Sequence, residues 1–187
     1  MDKRIESNSK FIRYIRYLAN EGEPGAQFVL VYYLSSRAKA GKYRGLCLRL
    51  LQKLSKQGNS LADYALGNWH IHGLGVRKNY GKAFRYFLSA AQKGHPSAQY
   101  DVGVSYEKGV GTKKNLKEAF NWYRRSGEQG DPAGQLELGL CYQHGCGVGK
   151  DLVKAKFWIK KAALNGNDEA RKILASEFGR KGKSGYL

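Results

Sequence analysis

At 187 residues, 42% hydrophobic and 12% aromatic, the chain holds enough apolar side chain for a buried core and falls outside the disordered class. Its 33 Lys+Arg against 15 Asp+Glu give a formal net charge of +18, which favours acidic partners (nucleic acid, an anionic membrane surface, an acidic protein) and carries no information about fold. No run nears the ~18 apolar residues of a membrane span, the first residues lack a signal-peptide core, and three cysteines at irregular spacing make no disulfide framework, so a cytoplasmic protein without membrane insertion is expected.

One phrase recurs every 36 residues. Gly22, Gly58, Gly94, Gly130 and Gly166 stand in phase, as do Gly67, Gly103 and Gly139, then Gly73, Gly109 and Gly145, then Gly75, Gly111 and Gly147. Such a period marks a repeat architecture. Taken in order, residues 9–21, with Phe11, Ile12, Tyr14, Ile15 and Leu18 at helical spacing, are expected to form an N-terminal half-repeat that caps the array. A degenerate repeat follows at 22–57, where Arg37 and Lys39 replace the loop glycines, and three regular repeats run over 58–93, 94–129 and 130–165. Residues 166–178 read as a closing helix and 179–187 as a basic, frayed tail.

Inside each frame the pattern predicts two helices. Glu23, Asn59, His95, Asp131 and Asn167 share the N-cap phase, and all three prolines, Pro24, Pro96 and Pro132, follow it directly, where a missing N–H costs nothing. The first helix crosses a glycine (Gly67, Gly103, Gly139) that costs about 1 kcal/mol in helix propensity relative to Ala. A close approach by the partner helix is the simplest reason to repeat that cost. The Gly-x-Gly loop then ends the helix, its first glycine suited to the left-handed conformation. Second helices are expected from near Tyr43, Asn79, Asn115 and Asp151 to the next in-phase glycine. Their aromatics, among them Phe84, Phe87, Phe120, Trp122, Tyr123, Phe157 and Trp158, lie at packing spacing and are expected in the core.

The string Leu138-Gly139-x-x-Tyr142-x-x-Gly145-x-Gly147-Val148, with Lys154-Ala155-x-x-Trp158 and Lys161-Ala162-Ala163, resembles the Sel1-like repeat, a relative of the tetratricopeptide repeat. Leu66-Gly67 with Gly73-Leu74-Gly75-Val76, and Gly103 with Tyr106, Gly109 and Gly111, repeat the resemblance, which spans roughly 22–167. It implies an all-α fold, a right-handed α-solenoid of antiparallel helix pairs whose first helices line a concave protein-docking groove. It further implies an adaptor, or a bacterial immunity protein acting as an antidote, without catalysis.

Local motifs offer weaker chemistry. Gly145-Cys146-Gly147-Val148-Gly149-Lys150 superficially suggests a phosphate loop, but His144 stands where the first glycine belongs and Asp151 where Ser or Thr belongs. His72 and His144 are in phase two repeats apart, roughly 20 Å at about 10 Å per helix layer, too far to share a metal. Cys141 and His144 have i, i+3 spacing, but Cys141 shares its phase with Trp69 and Ser105. No enzyme, cofactor or metal site is therefore expected.

Two surfaces remain. By analogy with tetratricopeptide geometry the groove is expected to use Phe28, Tyr32, Tyr64, Asn68, Ile71, His72, Tyr100, Val104, Glu107, Lys108, Leu140 and Gln143. Several of these vary in kind from copy to copy, which suits a surface reading one partner. Arg37, Lys39, Lys42, Arg44, Arg77, Lys78, Lys113 and Lys114 fall on or beside inter-helix loops and would form a basic edge steering an acidic protein partner. The alternative is an RNA-binding helical repeat, its basic edge on phosphates and its tyrosines on bases. Asn68/Ile71, Val104/Glu107 and Leu140/Gln143 do not resemble a one-base-per-repeat code.

Overall fold

The computed structural model describes residues 44–178 together with Tyr17, Glu23 and Gly25. The half-repeat expected at 9–21, the first helix of the frame at 22–57 and the tail at 179–187 otherwise lie outside the described residues. Among the described residues every regular element is helical: α1 Arg44–Lys56, α2 Ser60–His72, α3 Tyr80–Gln92, α4 Pro96–Lys108, α5 Leu116–Glu128, α6 Pro132–His144, α7 Leu152–Leu164 and α8 Asp168–Ile173, followed by a π-helical turn, Leu174–Phe178.

The helix ends fall where the repeated polar and glycine phases put them. Asn59, His95, Asp131 and Asn167 cap α2, α4, α6 and α8, each accepting from the backbone N–H three residues on. Asn115 and Asp151 do the same for α5 and α7, and Asn79 accepts from Lys82 N at 2.8 Å. Each such cap stabilises its helix by about 1 kcal/mol. His95 caps through Nδ1, which must be unprotonated to accept; burial, the largest influence on the ring, lowers its pKa and favours the neutral imidazole. At the other ends, Gly73, Gly109 and Gly145 take left-handed φ values of 71°, 71° and 78° and return their N–H to the last turn.

The chain divides into two compact units, one through Tyr86 and one from Phe87. In the first, Cys47, Leu51 and Leu54 of α1 pack on Ala62, Leu66 and Trp69 of α2. Gly75 approaches the Arg44 side chain, so the loop after α2 lies against the start of α1.

In the second unit, Ala119, Phe120 and Tyr123 of α5 pack on Leu138 and Cys141 of α6, while Leu136 packs with Ile159, Ala162, Ala163 and Ala170. Full burial of a Leu or Ile side chain contributes about 1.5–3 kcal/mol, so these clusters dominate the cohesion of the unit. The in-phase glycines sit at the crossings. A Cβ on Gly103 would meet the Tyr123 ring at 2.5 Å; one on Gly139 would meet Ile159 Cγ1 at 2.6 Å and the Ile159 and Ala155 backbone at 3.1–3.2 Å. Gly147 lies so close to the Leu116 carbonyl that no side chain fits, which fixes the α6–α7 loop on the start of α5.

A second crossing joins successive hairpins. A Cβ on Gly127 of α5 would lie 3.2 Å from the Gln135 backbone of α6, and Gly134 faces Ser126 and Gly127. Beside it runs a polar ladder. Gln99 Nε2 donates to Ala91 O at 3.1 Å, Gln135 Nε2 to Gly127 O at 3.1 Å and Arg171 Nε to Ala163 O at 3.2 Å. These three side chains occupy one repeat phase and satisfy carbonyls near the ends of the preceding helices, groups that are costly to leave bare. Gln129 Nε2 donates to Gln99 Oε1 at 2.6 Å and Asn165 Nδ2 to Gln135 Oε1 at 2.9 Å, tying the start of each of these first helices to the end of the second helix of the same hairpin.

Candidate protein-docking surface

The described residues of the expected groove stand on first helices. In the first unit, Tyr64, Asn68 and Ile71 of α2 are half-buried and His72 is exposed. Asn68 Nδ2 donates to Tyr64 O at 3.1 Å, so that half of its amide is committed to its own helix. Phe28 and Tyr32, and the steering residues Arg37, Lys39 and Lys42, lie outside the described residues.

In the second unit α4 carries Tyr100, Val104 and Glu107, all half-buried, with Lys108 exposed, and α6 carries the half-buried Leu140 and Gln143. Tyr100 and Val104 rest on the cluster around Phe120, Tyr123 and Leu138, and Leu140 on that around Leu136 and Ile159. The Tyr100 ring lies 6.0 Å from that of Tyr123, tilted 39°. Tyr123 is fully buried, yet its hydroxyl reaches the wall and donates to Glu107 Oε2 at 2.9 Å. Buried side chains thus back the wall from behind.

Its electrostatics oppose those of the chain as a whole. Glu137, half-buried on α6, is pushed up to about 7, first by burial and then by the charges of Glu107 and Glu169, with Lys108 acting against them. Tyr100 rises to about 12 through burial and the neighbouring Glu137, Asp101, Asp131 and Glu107. Tyr123 is held protonated far above the usual phenol range, again mainly by burial, with Glu107 next. A chain of net charge +18 thus carries a locally acidic wall on α4 and α6. The sequence pattern did not single out Glu137. Its phase, shared with Asp101 one residue after Tyr100 and Leu136, was the available signal.

The described steering residues, Arg44, Arg77, Lys78, Lys113 and Lys114, are all exposed, with Lys78 Nζ 5.1 Å above the Tyr80 ring. One expectation fails. Phe157, read as a core aromatic, is 59% exposed on α7, while Phe87, Phe120, Trp122 and Tyr123 are buried and Phe84 and Trp158 half-buried. The helix turns Ala155, Ile159 and Ala162 inward, and Phe157 lies on the opposite side.

The glycine string at 145–150 follows a helix rather than a strand, and Gly145 serves as the α6 cap. Cys141 is buried and its thiol pushed up to about 12, by burial first and then by Cys146, so it stays protonated and is a poor nucleophile. Among the described residues no three His, Cys, Asp or Glu side chains converge in metal-binding geometry, and no helix is long and apolar enough to cross a membrane.

The Sel1 repeat family matches residues 60–95, 96–131 and 132–167. Among solved structures, the chain is similar to c5321, a protective antigen of uropathogenic Escherichia coli strains displaying an SLR fold (33% identity over 90% of this chain, TM-score 0.84), and it spans 36% of the length of that protein. It is also similar to a Sel1 repeat protein from Oxalobacter formigenes (29% identity, 91% of this chain and 69% of that one, TM-score 0.78). Cysteine rich protein B of Helicobacter pylori (24% identity, 73% of this chain and 98% of that one, TM-score 0.58) shares the fold. A comparison with curated proteins returned no match. With three matched repeats filling most of residues 44–178, the chain belongs to the Sel1 repeat family, all-α solenoids that generally act as protein-interaction modules.

Proposed function

We propose that the chain is a non-catalytic docking protein that holds a protein partner against the first-helix residues of its units, as an adaptor or as an immunity protein that neutralises an effector by covering it. The observation that supports this reading is the division of labour among repeat positions. Caps, crossing glycines and core residues recur from copy to copy, while Asn68, Val104 and Leu140, and Ile71, Glu107 and Gln143, differ in kind and stay half-buried. Surfaces of this sort, preformed and partly apolar, lose little entropy on binding. The exposed Arg77, Lys78, Lys113 and Lys114 steer a partner of acidic overall charge. The acidic wall then accepts a neutral or cationic side chain from it.

Photo-crosslinking residues placed at Val104 and Ile71 test the reading in the native cell. A discrete protein adduct is expected. The paired variants Asn68→Arg/Ile71→Arg and Val104→Arg/Leu140→Arg should each weaken capture of that partner at least ~10-fold, equivalent to about 1.4 kcal/mol, with helicity unchanged. Crosslinks to RNA in place of protein, with affinity falling steeply as salt rises, would establish the nucleic-acid alternative. Capture indifferent to both variants would remove the wall from the interface.

A further inference from the structure

The outward side of α7 carries a feature that the docking wall does not use. Val153, Phe157 and Leu164 are 82%, 59% and 76% exposed, and their spacing of four and seven residues places them on one stripe. The repeat supplies its own control. The position of Val153 is Lys117, Gly81 or Gly45 in the other copies; that of Phe157 is Asn121, Arg85 or Arg49; that of Leu164 is Glu128, Gln92 or Lys56. The hairpin frame therefore asks for nothing apolar at these points. Leu152, by contrast, shares its phase with the exposed Leu116 and Tyr80 and belongs to the frame.

Charge accompanies the stripe. Lys160 falls within it, and Lys156 lies on one flank, both exposed. On the other flank Lys154 pairs with Asp151 at 3.0 Å, and Lys161 Nζ rests 4.9 Å above the Trp158 ring. Lys117, Arg124 and Arg125 are exposed on α5, the second helix one repeat earlier.

We infer that this face of α7 is a peripheral attachment site for an anionic lipid surface, with Val153, Phe157 and Leu164 entering the acyl boundary and the flanking lysines meeting headgroup phosphates. The three side chains stand largely in solvent, and a fluid apolar layer receives such side chains without a preformed hole, whereas a docked protein helix needs a groove. Lysine stems can lie along the apolar layer while their ammonium groups stay among the headgroups. Association of two copies through α7 would set Lys156 and Lys160 against their own kind. The basic side chains of α5 extend the charge beyond the footprint of one partner helix, as an extended headgroup layer requires.

Co-sedimentation of the full chain with phosphatidylcholine vesicles containing about one-third phosphatidylglycerol, at physiological salt, tests the inference against pure phosphatidylcholine vesicles. Binding to the mixed vesicles alone is expected. The triple variant Val153→Ser/Phe157→Ser/Leu164→Ser, which removes only exposed groups and should keep its helicity, is expected to lower partition at least ~10-fold. Lys156→Ser/Lys160→Ser should lower it about 5-fold or more and leave a shallower salt dependence. Equal binding by the triple variant would mean that bulk positive charge suffices and would overturn the proposal. Absence of binding by the unaltered chain would overturn it too, as would protection of α7 from hydrogen exchange by an acidic amphipathic peptide but not by the vesicles.

Discussion

The α4/α5 and α6/α7 hairpins of the second unit answer one steric demand with different chemistry. Both bring the second helix down on a glycine of the first. In α4/α5 the neighbour is the ring of Tyr123, whose hydroxyl continues to Glu107 and makes the wall polar. In α6/α7 the neighbour is Ile159 with its own backbone and the Ala155 carbonyl, and the wall beside it, at Leu140, is apolar. A repeat position can thus stay constant because an approach is close, while the approaching group is free to differ. That freedom is where a repeat protein acquires local character without disturbing its period.

The largest expected effect comes from filling the two crossings. Gly139→Ala should destabilise by about 2–3 kcal/mol despite the helix propensity it gains, because backbone as well as side chain stands in the way. Gly103→Ala should cost a similar amount as a single change. The two part company on rescue. In a Tyr123→Ala background, which takes away the ring atoms within 3.2 Å of that Cβ, Gly103→Ala should cost little more, whereas in an Ile159→Ala background Gly139→Ala should keep most of its cost, because the main chain remains within 3.2 Å. Urea denaturation of the double-mutant cycles measures this. Equal rescue at both sites would erase the distinction. Gly149, with no atom within 4 Å of a built Cβ, is the control, and Gly149→Ala should change stability by no more than about 0.5 kcal/mol.

A smaller effect sharpens the polar side of the comparison. Tyr123→Phe keeps the ring over Gly103 and removes only the hydrogen bond to Glu107, a loss of about 1 kcal/mol in the same titration. A neutral result would place the contribution of Tyr123 in its ring alone.

The smallest concerns Glu137. Its folded pKa of about 7 lies above the ordinary 4.5, so the folded chain holds a proton there that the unfolded chain releases. The stability linked to that proton is fully present below about 4.5 and is lost as pH rises through about 7. Because the group is only half-buried, solvent screening limits the change to about 1 kcal/mol. Glu137→Gln should flatten the dependence between pH 5 and pH 8 (roughly, the window of the shift) and leave the variant the more stable of the two at the alkaline end. Thermal unfolding at the two pH values checks it; an unchanged slope would mean that Glu137 is ionised throughout.

Much of the fold was legible in the sequence because its signals are local. Asn59, Asp131, Asn115 and Asp151 cap helices through bonds to their own next turn, and Gly73, Gly109 and Gly145 end helices through their own backbone angles. The site was legible only in outline. Tyr100, Val104 and Leu140 stand half-buried on first helices as the spacing suggested, but the hydroxyl of Tyr123 comes from a second helix assigned wholly to the core. Net charge could not reveal the local pattern, because +18 is a sum over the chain and the carboxylates Glu107 and Glu137 gather on one wall. Phe157 was misplaced because aromatic content at helical spacing does not say which side of α7 faces inward; Ala155 and Ile159 do.

The period, the ends of the helices and the family follow from residues acting on their immediate chain neighbours, with interactions that span at most one turn of helix. The tertiary structure alone decided which atoms oppose Gly103 and Gly139, the proton on Glu137 and the exposure of Val153, Phe157 and Leu164. Each of these depends on groups brought together from separate helices, or on which flank of a helix another helix covers. Steric exclusion, desolvation and burial are properties of that assembled neighbourhood, and no window of sequence contains it.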